Sequence, residues 1–497
     1  MAARPSHPSR NEVRVDGNLH RMIAQTEEII KRKNTDDPFL LVLGGGLVRV
    51  GQGVNPRFEP MTIDRMTRYM AETITFFRKN EHGKRRIVHP PAPLVRAVLA
   101  APVYAVPVVE RLVTVPVFAP DGSLLTDPGY SSSGKLYLSP SVSVQPVPSS
   151  PDPDDLDRAK ASIEDVLADF PFVSIADRTH AIAAMLLPAA RSMIPGPTPM
   201  MIIQAPAKGT GKSLLALAIR APSSPTGGVI TGGGDRDEWR KRITSLLRSG
   251  PTVITVDNLH GYLDSEALAA VLTSTTWEDR ILGVSDIATL PNQTLWLATG
   301  NGVTLSDELR RRTVPILLDA EVEEPHLRAA THWRHPDLKT FVQDHRADLV
   351  WSVLVIVKTW IAAGRPAGSK SLGSFESWAS SMGGILEVAG YEGFLENLDE
   401  WERSGADPDT LGWRSFVTSW NRRFGTTEVK ATDLLVAYDN VDNDFLNLGD
   451  GSDRSRGTRL GKALSGKRDA VVGTFKVVFA GESSGSNRWR LTPTSEV

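Results

Sequence analysis

The sequence predicts an α/β protein with a parallel-sheet core, preceded by an α+β N-terminal region and followed by a small helix-and-hairpin region. Three observations carry this. An apolar run from Met200 to Ile203 meets a helix-forming run from Ser213 to Arg220 across the loop Gly209-Thr210-Gly211-Lys212-Ser213. A second apolar strand, Pro251 to Val256, ends in Asp257-Asn258 about 45 residues past that loop. A third, Gln293 to Thr299, ends in Gly300-Asn301. Buried strands alternating with helices build a parallel sheet.

The first stretch has the strand–loop–helix order of a phosphate-binding P-loop. Glycines let successive N–H groups curl toward an anion, and the helix N-terminus adds partial positive charge. Ala207, Lys208, Gly209, Thr210, Gly211, Lys212, Ser213 and Leu214 are the expected phosphate-binding residues, with Lys212 reaching the β- and γ-phosphates of ATP and Ser213 holding Mg²⁺. Pro206 stands where the usual spacing has its first glycine. Its fixed φ is one that a turn can use. Asp257 has the Walker B placement, an apolar strand ending in a carboxylate that would sit beside Ser213 on the Mg²⁺ side. Asn301 ends the third strand, where an amide can orient an attacking water; Gly-Asn after a strand is also a common turn. The run Arg310-Arg311-Arg312 opens a further strand and admits two readings, a solvated face or an arginine finger offered to a neighbouring subunit.

Length and composition set bounds. A chain of 497 residues holds two to four domains at ~150 residues each. A net charge of −2 gives no whole-chain attraction to any partner, so a nucleic-acid surface must be local. Without cysteine there are no disulfides or thiolate metal sites, and the histidines lack metal-site spacing. The N-terminus has no apolar signal core, and prolines and charges break the apolar window 94–118. The expectation is a cytoplasmic protein with no membrane partner.

In chain order, residues 1–15 read as disordered, 19–33 as a helix, and 40–43 with 47–50 as a hairpin around Gly44-Gly45-Gly46. Thr62 to Arg78 has a helical apolar stripe. Pro146 to Asp155 reads as a linker whose acidic cluster feeds a helix N-terminus. Helices are expected over 157–170, 177–192, 237–248 and 263–272, then a hairpin from Trp277 to Pro291 turning near Ser285-Asp286. Residues 337–344, 347–363 and 375–388 read as helices. Beyond Asp409 come helices at 411–424, 431–445 and 454–467, then a hairpin across Gly481 to Gly485. This is the winged-helix order. Residues 453–490 carry nine Lys/Arg against three Asp/Glu, suited either to DNA phosphate or to a protein contact. The expected domains are 1–150 (α+β), 151–195 (helical collar), 196–320 (core), 321–405 (helical lid) and 406–497 (winged helix).

The segments Pro206 to Ser213, Val253 to Asn258, Arg280-Ile-Leu-Gly283, Leu295 to Asn301 and Asp307 to Arg312 together resemble the superfamily 3 helicase domain of the phage and plasmid primase/helicase family, an AAA+-like ATPase. Arg85 to Ala92 and Pro116 to Tyr130 are similar to the region that precedes the ATPase in phage members. The resemblance implies an ATP-driven DNA translocase working as a ring, usually a hexamer, with ATP and Mg²⁺ at subunit interfaces. It assigns catalytic roles to Lys212, Asp257, Asn258, Asn301 and one of Arg311 or Arg312, and a metal to Ser213 and Asp257. The chain departs from the family in four places. Asn258 stands where many relatives have a catalytic Glu, and Gly302 where many have a second Asn. The Ser285-Asp286 turn has no Lys, and no primase half is present. A separate primase or initiator would then be a partner. The competing reading is a DNA-binding ATPase switch that does not unwind; a monomeric P-loop kinase would not need the arginine run.

Overall fold

The computed structural model describes residues 11–35, 38–51, 56–101, 103–206, 209–224, 229–231, 236–280, 287–322, 333–404, 408–439, 445–483 and 486–494. The chain divides into two compact units, Met1–Val303 with Glu308–Asp399, and Thr304–Asp307 with Glu400–Val497.

A five-stranded parallel sheet organises the first unit. Its strands are β1 (Met200–Ala205), β2 (Val229–Thr231), β3 (Val253–Leu259), β4 (Leu295–Asn301) and β5 (Thr313–Leu317), in the spatial order β2–β3–β4–β1–β5. All six residues of β1 are buried, as expected of a central strand covered on both faces. Helix α1 (Lys212–Arg220) follows β1, α2 (Arg236–Leu247) precedes β3, and Glu266–Leu272 follows it. The order places β4 between β1 and β3, so residues far apart in sequence end side by side at the C-terminal edge of the sheet. Open parallel sheets bind ligands at that edge.

One face of the sheet is covered by helices that are themselves mostly buried. Ile175–Ala190 buries fourteen of its sixteen residues and Arg346–Ala362 eleven of seventeen. Both join β1, β4, β5 and Glu376–Val388 in one continuous apolar core. Asp152 caps Pro153–Leu167 by accepting from Asp155 N–H at 2.8 Å, with the Asp155 carboxylate reaching back, so the acidic cluster forms a capping box. His180, fully buried, joins the helical layer to the sheet. Its Nδ1 lies 2.7 Å from the Pro315 carbonyl, and its Nε2 accepts from Leu395 N–H at 3.0 Å. That pair of partners fixes the neutral tautomer with the proton on Nδ1.

The N-terminal region holds two corrections. Residues 12–14, expected to be disordered, form a strand pairing in parallel with Thr75–Lys79; residues 1–10 lie outside the described residues. The helix expected to Arg78 runs Ile63–Thr73 and stops at extended Ile74, after which Phe76 and Phe77 pair as a strand. β-branched and aromatic residues favour that pleated, half-buried setting over a helix.

In the second unit, the described helices are Leu398–Ser404 in part, Pro408–Phe424, the short Leu435–Tyr438, and Asp453–Gly466. Val429–Lys430, Ser486–Pro493, Phe475–Ser483 and Val471–Val472 form one sheet in that order. Of the helix expected over 431–445, Leu435–Tyr438 is helical, 431–434 form turns and 440–444 lie outside the described residues; Leu446 N–H donates to the Tyr438 hydroxyl at 2.9 Å. Trp413, Phe416, Trp420, Leu460 and Trp489 fill its core. Among the described residues no helix is long and apolar enough to cross a membrane.

Candidate nucleotide site

The site lies where β1, β3 and β4 end. After β1 the chain turns through Gly209 and Gly211, and Gly211 takes φ +97° as the residue capping α1. That left-handed conformation strains any side-chain-bearing residue. It lets the helix begin at Lys212 directly beneath the loop. Lys212 is 8% exposed, and burial holds its pKa below the ordinary lysine value while the Asp257 carboxylate opposes the shift. Ser213 and Leu214 are exposed at the mouth, and Thr210 is buried. Ala207 and Lys208 lie outside the described residues.

Asp257 is held by its neighbours on both sides. Ser213 Oγ donates to Asp257 Oδ1 at 3.1 Å, and Thr299 Oγ1 donates to the same oxygen at 2.5 Å. Thr299 also accepts from Asn258 N–H at 2.9 Å. Between Val256 and Leu259 the β3–β4 register shifts, and Asn258 takes φ +62°. Asp257 and Asn258 therefore occupy a bulge, a device that re-aims side chains at strand ends. Gly300 permits the close approach: a Cβ there would lie 2.3 Å from Val303 Cγ2 and 3.1 Å from the Leu259 carbonyl.

Asn301 pairs in register with Ala205, and its Oδ1 is buried without a hydrogen-bond partner. A buried unpaired carbonyl of this kind is costly unless something occupies the site. Together these groups line a cleft of about 990 Å³, joined by His260. The oxygens of Ser213, Asp257 and Asn301 suit a hard cation such as Mg²⁺ and its waters.

The sheet brings Lys212, Ser213, Asp257, Asn258 and Asn301 together and keeps the arginines away. Met200 N–H donates to the Arg312 carbonyl at 3.0 Å, so Arg312 stands at the start of β1, while the cleft lies at its end. Five residues of strand separate them, roughly 17 Å at ~3.3 Å per residue. Arg310 is buried. Arg312 donates to the Glu308 carbonyl at 2.7 Å and pairs with its carboxylate at 3.2 Å, and Arg311 is exposed. The hairpin Thr276–Arg280 with Ile287–Pro291 forms as expected, and its Ser285-Asp286 turn lies outside the described residues. Sequence reasoning missed Thr299 and His260. The signal for Thr299 was a single hydroxyl inside an otherwise apolar strand; for His260, only its position three residues after Asp257.

No family model matches the chain, and no curated protein matches it in sequence. Among solved structures it is similar to the A-form apo structure of the NrS-1 C-terminal region, at 10% identity and TM-score 0.39, over 86% of this chain and 98% of that one. A second structure of the NrS-1 C-terminal region aligns over 94% and 98%, at 11% identity and TM-score 0.39. The structure titled SCCmec type IV Cch, active helicase, aligns over 92% and 97%, at 13% identity and TM-score 0.34.

Proposed function

We propose that the chain is an ATP-dependent DNA helicase or translocase of the superfamily 3 type, acting in phage, prophage or plasmid replication and hydrolysing ATP at the interfaces of a ring. The observation that carries this reading is the convergence of Lys212, Ser213, Asp257 and Asn301 on one open cleft at the C-terminal edge of a parallel sheet.

In this reading Lys212 Nζ and the N–H groups of the 209–213 turn bind the phosphates of ATP. Mg²⁺ held by Ser213 and Asp257 would neutralise phosphate charge. Thr299 keeps Asp257 aimed at the cleft, and the Asn301 amide positions the attacking water. Asn258 carries no basic atom, so it can orient that water and cannot take its proton. Arg311, exposed beside Arg312 near the start of β1, would act on the cleft of a neighbouring subunit rather than its own. The second unit reads as a winged helix that sets the basic helix Asp453–Gly466 against DNA phosphate.

The test combines particle mass with unwinding. A ring-sized particle that separates a forked duplex only with hydrolysable ATP supports the proposal; a monomer under all conditions removes the ring and the helicase together. A DNA-binding ATPase switch without unwinding is the second reading, favoured by Asn258, and ATP turnover without strand separation selects it.

A further inference from the structure

The N-terminal region carries a second charged feature that the nucleotide site does not use. Thr75–Lys79 and Arg85–Ile87 form an antiparallel hairpin, and every residue from Arg78 to Ile87 is exposed. The segment holds Arg78, Lys79, Lys84, Arg85 and Arg86 against one acid, Glu81, in a chain whose net charge is −2. The register sets Arg78 opposite Arg86 and Lys79 opposite Arg85. Like charges directly across a ladder destabilise it, so folding alone gives no reason for the arrangement.

The hairpin is nonetheless well formed. Asn80 closes the turn: its N–H donates to the Lys84 carbonyl at 3.0 Å, and its Oδ1 accepts from Lys84 N–H at 2.8 Å. Beneath it Phe76 and Phe77 are buried and anchor the central strand. Arg85 pairs with Glu12 at 2.9 Å and lies 4.5 Å over the Phe77 ring. Arg14, on the adjoining strand opposite Phe77, adds a further exposed cation. The result is a preformed basic finger on an apolar footing, and a preformed surface spends little ordering entropy on binding.

We propose that this hairpin is a nucleic-acid-binding site that grips the phosphate backbone of a single strand without reading sequence. Arg78, Lys79, Lys84 and Arg86 supply the contacts. The register sets Arg78 beside Arg86 on one face of the ladder and Lys79 on the other, with Lys84 at the turn, and contacts from such cations to phosphate carry no sequence information. The proposal does not depend on ATP hydrolysis.

The test is anisotropy of a fluorescent single-stranded oligonucleotide with the full chain, across a salt series. The variant Arg78→Ala/Lys79→Ala/Arg86→Ala should weaken binding about tenfold, and the slope of log K against log salt should fall by about 2, at ~0.7 per phosphate lost. Arg78→Lys/Arg86→Lys should keep the wild-type slope, because it keeps the charge. The alanine variant should melt no lower than wild type, since it removes opposed like charges. Lys212→Ala protein should show the same hairpin dependence, which separates this site from the ATPase reading. An unchanged salt slope in the alanine variant, or no binding by wild type at low salt, overturns the proposal.

Discussion

Ser213 Oγ donates to Asp257 Oδ1 at 3.1 Å although the two residues stand 44 positions apart. β4 separates β1 from β3, and the bond forms because the start of α1, which follows β1, reaches across β4 to the end of β3. The same carboxylate oxygen accepts from Thr299. Asp257 is therefore positioned before any ligand arrives, and preorganised groups of this kind are what phosphoryl transfer needs most.

Thr299 should matter more than its conservative appearance suggests. Thr299→Val keeps the shape, removes the donor to Asp257 and leaves Asn258 N–H without its acceptor. The expected cost is about 1–3 kcal/mol of stability for the orphaned group. ATP turnover should fall much further than Thr299→Ser, which restores the hydroxyl. Steady-state rates and thermal melts of the two variants check this.

Arg311 should act in trans. Mixing Arg311→Ala with Lys212→Ala protein, each inactive alone, should restore part of the ATPase rate, because some interfaces then pair an intact cleft with an intact arginine. Arg312→Ala should be milder in turnover and cost stability, since Arg312 holds Glu308. A titration of the two proteins against each other reads the outcome.

His180 makes the fold acid-sensitive. Burial pushes its pKa down to about 4 from the ordinary 6.5. Above pH 6.5 it is neutral in both folded and unfolded chains, and its stabilising contribution is complete. As pH falls from 6.5 toward 4 the unfolded chain takes up a proton that the folded chain refuses, so stability is lost, by about 3 kcal/mol at ~1.4 kcal/mol per pKa unit. His180→Gln should flatten the dependence of unfolding free energy on pH in that window, measured by denaturant titration.

Much of the site was legible because its signals are local. Gly209 to Ser213 between a buried strand and a helix declares itself, and Asp257 and Asn301 each close an apolar run. Thr299 was not legible, since threonine in a strand is what pleated backbone favours anyway and only the bulge at Asp257-Asn258 gives it a task. The strand at Glu12 was missed because its partner lies at Thr75, and parallel pairing over that separation leaves no local pattern. The helix expected from 431 starts only at Leu435, because 431–434 form turns in which Asp433 N–H donates to the Lys430 carbonyl, a contact that no helical period encodes.

The central claim is that the cleft between β1, β3 and β4 hydrolyses ATP. The most direct test is the rate of phosphate release from ATP with Mg²⁺ by the full chain, beside Lys212→Ala and Asp257→Ala. The account predicts Mg²⁺-dependent turnover in wild type that both substitutions abolish while each variant stays folded. Turnover that survives in a folded Lys212→Ala protein would contradict it.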